Sequence, residues 1–107
     1  MDKKTINQSL RAYLDRLEKS IFIDEALLFG SSISGSRKED SDVDLLILSR
    51  DFSKYDSDTR LKIIYRASTG FTYDLHAYGV TPEEYATASP LTTLGAIRST
   101  NPVAVRK

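Results

Sequence analysis

At 107 residues the chain is long enough for one domain with one modest core. Fifteen Lys and Arg balance fifteen Asp and Glu, so there is no basic field of the kind nucleic-acid binders carry, and no direct nucleic-acid contact is expected. With no Cys, neither a disulfide framework nor a thiolate metal site is open to it. The apolar runs fall far short of a membrane span, and no apolar signal segment follows the charged Met1-Asp2-Lys3-Lys4, so a cytoplasmic protein is expected.

Thr5–Lys19 reads as a helix. Ile6, Leu10, Leu14, Leu17 and Ile21 recur at helical spacing, while Arg11, Asp15, Arg16 and Glu18 fall on the other side. Ser20–Asp24 connects it to a short buried strand, Glu25–Phe29, which ends at Gly30. Without a Cβ, Gly30 permits a sharp turn and the close approach of a phosphate. Ser31, Ser32 and Ser34 are positioned to open a short helix whose free N–H groups would face an anion.

Val43–Leu48 reads as a second strand, too apolar for the surface. Residues two apart in a strand share a face, so Asp42 and Asp44 stand together at its head. Adjacent carboxylates repel, and a bound divalent cation keeps both ionised. Hard oxygen donors suit magnesium or manganese.

Three other readings compete for these residues. Gly30–Gly35 has the glycine spacing of a P-loop, but Ser36-Arg37 stands where Lys-Ser or Lys-Thr is required. Asp40, Asp42, Asp44 and Asp51 match EF-hand ligand positions, but Leu45 replaces the turn glycine and the strand intrudes. The plainest alternative is a polar loop that leads into a strand with acids at its start.

Ser49–Asp58 reads as a polar connection, with Ser57 or Asp58 as N-cap of a helix to about Ser68. Leu61, Ile64, Tyr65 and Ser68 form its expected core-facing stripe, and Gly70 ends it. Phe71–Tyr78 alternates as a third strand, with Asp74 in its middle and His76 and Tyr78 on the same face as Asp74. A mid-strand carboxylate is either at an edge, salt-bridged, or functional. His76, the only histidine, reads as a partly buried polar residue at the cleft edge. Thr81-Pro82-Glu83-Glu84 is a capping box with Pro at the first helical position, opening a helix over Pro82–Thr87. Pro90–Ser99 is a further helix, and Val103–Val105 a short edge strand after the break at Asn101-Pro102. The expected fold is therefore α/β (α+β), a small mixed sheet with helices packed on it and the acids at one open end.

Gly30-Ser31, the ten residues Ser32–Ser41, and Asp42-Val43-Asp44 at the head of a strand resemble the signature of the nucleotidyltransferase superfamily related to DNA polymerase beta. Gly35 matches the inner glycine of its small members, and Thr81-Pro82-Glu83-Glu84 matches the turn that often follows their third acidic strand. The chain looks most similar to the minimal nucleotidyltransferases, single domains often paired with a HEPN-domain partner. The resemblance implies the nucleotidyltransferase fold and transfer of a nucleoside monophosphate, most simply AMP from ATP, to a hydroxyl acceptor. It implies a catalytic and metal-binding triad of Asp42, Asp44 and Asp74. It also implies two magnesium ions, with manganese as substitute, and a phosphate grip at Gly30 and Ser31. Asp74 would hold the ion at the attacking hydroxyl and accept its proton. Small members often carry an arginine directly after Gly-Ser, and Ser32 stands there, which removes a bidentate phosphate contact. Larger members add an acceptor-binding domain for which these residues leave no room. The implied acceptor is therefore a partner, a HEPN toxin that the chain would silence as an antitoxin. A contact-only binding subunit and a small-molecule nucleotidyltransferase are the alternatives, and a homo-oligomer is compatible with all three.

Overall fold

The computed structural model describes residues 3–29, 42–71 and 74–106, with side chains from residue 7 onward and, in the second segment, from residue 43. Helix α1 spans Lys3–Leu17, strand β1 Glu25–Leu28 and strand β2 Asp42–Leu48. A 3-10 turn, Arg50–Lys54, leads to helix α2, Ser57–Arg66. Strand β3, Asp74–Val80, is followed by helix α3, Pro82–Thr87, helix α4, Thr93–Ser99, and strand β4, Val103–Arg106.

The strands form one mixed sheet in the order β3-β2-β1-β4, parallel between β2 and β3 and antiparallel elsewhere. As a central strand, β2 is covered on both sides: Val43, Leu45 and Ile47 point into one core, Leu46 and Leu48 into the other. This explains why its sequence is a continuous apolar run instead of an alternation. The larger core packs Leu10, Tyr13 and Leu14 of α1 with Phe52 and Ile64 against β2 and Ala77 of β3. The smaller packs Ile97 and Leu94 of α4 and Tyr85 of α3 over Leu27, Leu46 and Leu48.

Polar contacts tie the helices to each other and to the sheet. The buried Tyr13 hydroxyl donates to the Ile64 carbonyl at 2.8 Å, and Arg16 Nε donates to the Ala67 carbonyl at 2.9 Å, locking α1 to α2. Arg98 reaches from α4 to the carbonyls of Tyr85, Ala86 and Ala88, satisfying the open end of α3. Arg106 pairs with Asp15 at 3.0 Å and with Glu18, holding the edge strand β4 against α1.

Several expectations need correction. The connection after β2 is not wholly polar loop: its 3-10 turn drives Phe52 into the core at 0 % exposure. The N-cap of α2 is Asp56, whose Oδ1 accepts from Thr59 N–H at 2.8 Å, and the helix closes at Arg66. The inward stripe of α2 is Ile63, Ile64 and Ala67, while Leu61 and Tyr65 are exposed. Gly70 does end the turn after this helix, at φ 86°, in the left-handed region where glycine has no Cβ penalty. The last helix begins at Thr93, capped by Thr92, later than Pro90.

Candidate nucleotide and metal site

The parallel register of β2 on β3 sets the geometry. Asp42 pairs with Asp74, Asp44 with His76, Leu46 with Tyr78 and Leu48 with Val80. In a parallel pair these four rows project to one face, the face that also carries α3 and α4. The helices cover the last rows, through Leu46, Leu48 and Val80, and leave the acid rows at the other end of the strands. Asp74 and His76 are exposed, and Asp44 is half-buried.

β3 is described from Asp74 onward, Asp74 is exposed, and among the described residues β3 is the edge strand of the sheet. No burial cost has to be explained, so the depletion of Asp inside strands no longer argues for a function at this position. What singles Asp74 out is its register opposite Asp42. His76, expected to be partly buried, is also exposed.

On the other side of β2, Phe29 N–H donates to the Asp44 carbonyl at 3.2 Å, extending the β1–β2 ladder by one rung past Leu28. Phe29 therefore lies beside Asp44. Gly30 and Ser31, the expected phosphate grip, lie outside the described residues, as does the expected helix start at Ser31, Ser32 and Ser34. Among the described side chains, no three of His, Cys, Asp and Glu group as metal ligands; the Asp42 side chain is not among those described. The fit to a cation thus rests on the backbone register and on the chemistry of the donors. Three carboxylate-bearing positions share one end of one face, and carboxylate oxygens suit hard divalent ions.

Beyond the acids, on the same face, Tyr78 stacks obliquely on Phe29, with ring centroids 6.3 Å apart. Tyr78, Gly79 and Val80 form one wall of a cavity of about 410 Å³ at the outer edge of β3, completed by Ser57, Arg60, Leu61, Glu84 and Leu94. Within it Arg60 forks onto Glu84, Nη1 to Oε1 at 2.8 Å and Nη2 to Oε2 at 3.2 Å. Arg60 also donates to the carbonyls of Phe52, Tyr55 and Gly79. The Arg60 guanidinium, aided by the Thr81 backbone N–H, holds the Glu84 carboxyl below its ordinary range against the opposing effect of partial burial.

Sequence reasoning assigned none of these cavity contacts. The Arg60–Glu84 pair joins α2 to a capping-box residue, and nothing in either local pattern signals the meeting.

A model of the nucleotidyltransferase domain family matches residues 8–94, which include both acidic strands and the residues between them. No curated protein matches the chain. A candidate nucleotidyltransferase of known crystal structure from Sulfolobus solfataricus superposes with a TM-score of 0.57 at 17 % identity, over 80 % of this chain and 81 % of that one. BolA1 from Arabidopsis thaliana superposes with a TM-score of 0.54 at 18 % identity, over 71 % of this chain and 94 % of that one. The BolA domain of SufE1 from the same plant gives 0.51 at 21 % identity, over 72 % and 94 %. At these identities the likeness is one of fold, and the same layout occurring under different names shows that the layout alone carries no chemistry.

Proposed function

The chain belongs to the nucleotidyltransferase domain family, and from that premise we propose that it transfers a nucleoside monophosphate from a nucleoside triphosphate, most simply AMP from ATP, to a hydroxyl acceptor. The observation that supports this reading most is the pairing of Asp42 with Asp74 across β2 and β3, one row from Asp44.

In the reaction, the acceptor oxygen bonds to the α-phosphorus as the bond to the β-phosphate bridging oxygen breaks. The electron pair of that bond leaves with pyrophosphate. Asp42, Asp44 and Asp74 would hold magnesium or manganese, which when bound offsets the negative charge on the phosphate oxygens and the leaving group. Asp74, exposed on β3, accepts the proton of the attacking hydroxyl. Gly30 and Ser31 grip the distal phosphates through backbone N–H and hydroxyl. Ser32 supplies no guanidinium there, so the phosphates are held more weakly than by relatives with arginine at that position.

The acceptor that fits the resemblance is a hydroxyl of a HEPN-domain partner in the cytoplasm, silenced by the modification, with this chain as the antitoxin. No helix among the described residues is long and apolar enough to cross a membrane.

The test is incubation with α-labelled ATP, magnesium and the product of any adjacent reading frame, beside an Asp42→Ala/Asp44→Ala variant. Label on the partner that disappears with the variant supports the proposal. Tight partner binding that is indifferent to the variant, with no label from any of the four nucleoside triphosphates, identifies a contact-only subunit instead.

A further inference from the structure

The cavity at the outer edge of β3 adjoins the acid rows, and its chemistry differs from theirs. Tyr78 lies two residues beyond His76 on the same face, about 7 Å along the strand, within the reach of one nucleotide from the Asp44 row. It is a large aromatic side chain left 48 % exposed, with Phe29 bracing it. Phe29 N–H also bonds the Asp44 carbonyl, which ties this ring to the acid end of β2. The remaining walls are Leu61, Val80 and Leu94, with the Ser57 hydroxyl. The two charged residues in the lining, Arg60 and Glu84, are engaged with each other, and Arg60 with three carbonyls besides. Neither is left to recruit a phosphate. The cavity therefore offers a π face, aliphatic walls and a hydroxyl, in a volume of about 410 Å³. That combination selects a flat, uncharged ring.

We infer that this cavity is the nucleobase subsite of the nucleotide site, with Tyr78 as its stacking platform and specificity-determining residue. The inference rests on the proposed transferase reading. A base on Tyr78 would leave the phosphates to the acid rows. Because the walls present few fixed hydrogen-bonding groups, the subsite distinguishes rings by size and stacking more than by their edges, and purines bind better than pyrimidines.

The experiment is an amide NMR titration of the full chain with adenosine, with ATP plus magnesium, with ribose 5-triphosphate plus magnesium, and with phenol, on wild type, Tyr78→Ala and Tyr78→Phe. Adenosine should shift the amides of Tyr78, Gly79, Val80 and Leu94. Tyr78→Ala should weaken ATP roughly 10-fold and leave the base-less triphosphate unaffected, while Tyr78→Phe keeps the ring and the affinity. Adenosine that leaves these amides unmoved, or equal losses for ATP and ribose triphosphate, would overturn the subsite. Phenol as effective as adenosine would overturn it in favour of an acceptor ring. If adenosine binds at Tyr78 while neither triphosphate perturbs Asp44 or Asp74, the subsite stands and the transferase reading falls.

Discussion

Asp42 and Asp74 stand opposite each other as register partners of two parallel strands, although 31 positions separate them in the chain. The juxtaposition depends on β2 and β3 being parallel neighbours, which the intervening 3-10 turn and α2 make possible by crossing the larger core. Asp74→Asn should therefore lower nucleotidyl transfer by about 10²- to 10⁴-fold, the usual contribution of a general base. Because Asp74 is exposed, stability should change by less than about 0.5 kcal/mol. Turnover and urea unfolding of the same variant separate the two effects.

The outer edge of β3 is closed by side chains from α2. Tyr65 hydroxyl accepts from Ala77 N–H at 3.1 Å and donates to the Leu75 carbonyl at 3.3 Å, and Arg60 donates to the Gly79 carbonyl at 3.2 Å. An open edge would invite another strand, and these bonds occupy it. Tyr65→Phe should lower stability by about 1–2 kcal/mol, since the N–H of the buried Ala77 loses its acceptor. Hydrogen exchange at the Ala77 amide should accelerate more than at its neighbours.

The Arg60–Glu84 fork makes stability depend on pH. Glu84 is held below the ordinary glutamate value near 4.5, so its contribution is complete above that value and is lost as pH falls through the lower folded value. Asp24, held down by Arg50, acts in the same direction. Urea midpoints should fall on acidification below about pH 4.5, and Glu84→Gln should flatten that slope. Arg60→Met should cost about 2–3 kcal/mol, because three carbonyls lose their donor at a side chain only 14 % exposed.

Gly79 gives a prediction about the strand itself. A Cβ there would lie 2.6 Å from Phe52 Cε2 and 2.9 Å from Ile64 Cδ1, both on side chains with 0 % exposure. Gly79→Ala should cost about 1–3 kcal/mol by overpacking, read as a lower thermal midpoint.

The fold was legible in the sequence wherever one local pattern decided it. The α1 stripe, the β2 run and the capping box at Thr81 each had a single reading, and each agrees with the structure. α2 did not, because the sets 60/63/64/67 and 61/64/65/68 are both helical stripes that share Ile64. Hydrophobicity favours the set with Leu61 and Tyr65; the fold turns Arg60 inward because three carbonyls, two from the 3-10 turn and its cap and one from β3, await its guanidinium. β3 was extended for a similar reason. Its expected end was Tyr78, but pairing with Ile47 and Leu48 carries it through Gly79 and Val80. At the candidate site, spacing in the chain marked Asp42 and Asp44 as a pair, and alternation put Asp74, His76 and Tyr78 on one face. The partnership of the two strands is a property of the sheet, and no spacing in the chain encodes it. The cavity beside Tyr78 was illegible for the same reason, since its walls come from α2, β3, α3 and α4.

The central claim is that the acid end of β2 and β3 binds a divalent ion together with a nucleotide. Manganese is the most direct probe, because its unpaired electrons broaden nearby amide signals. With ATP present, sub-stoichiometric manganese should broaden Asp44, Asp74, Leu75 and His76 before the amides of α1 or β4, and Asp42→Ala/Asp44→Ala should abolish the effect. Uniform broadening, or broadening of Asp44 and His76 that persists in the variant, would contradict the claim.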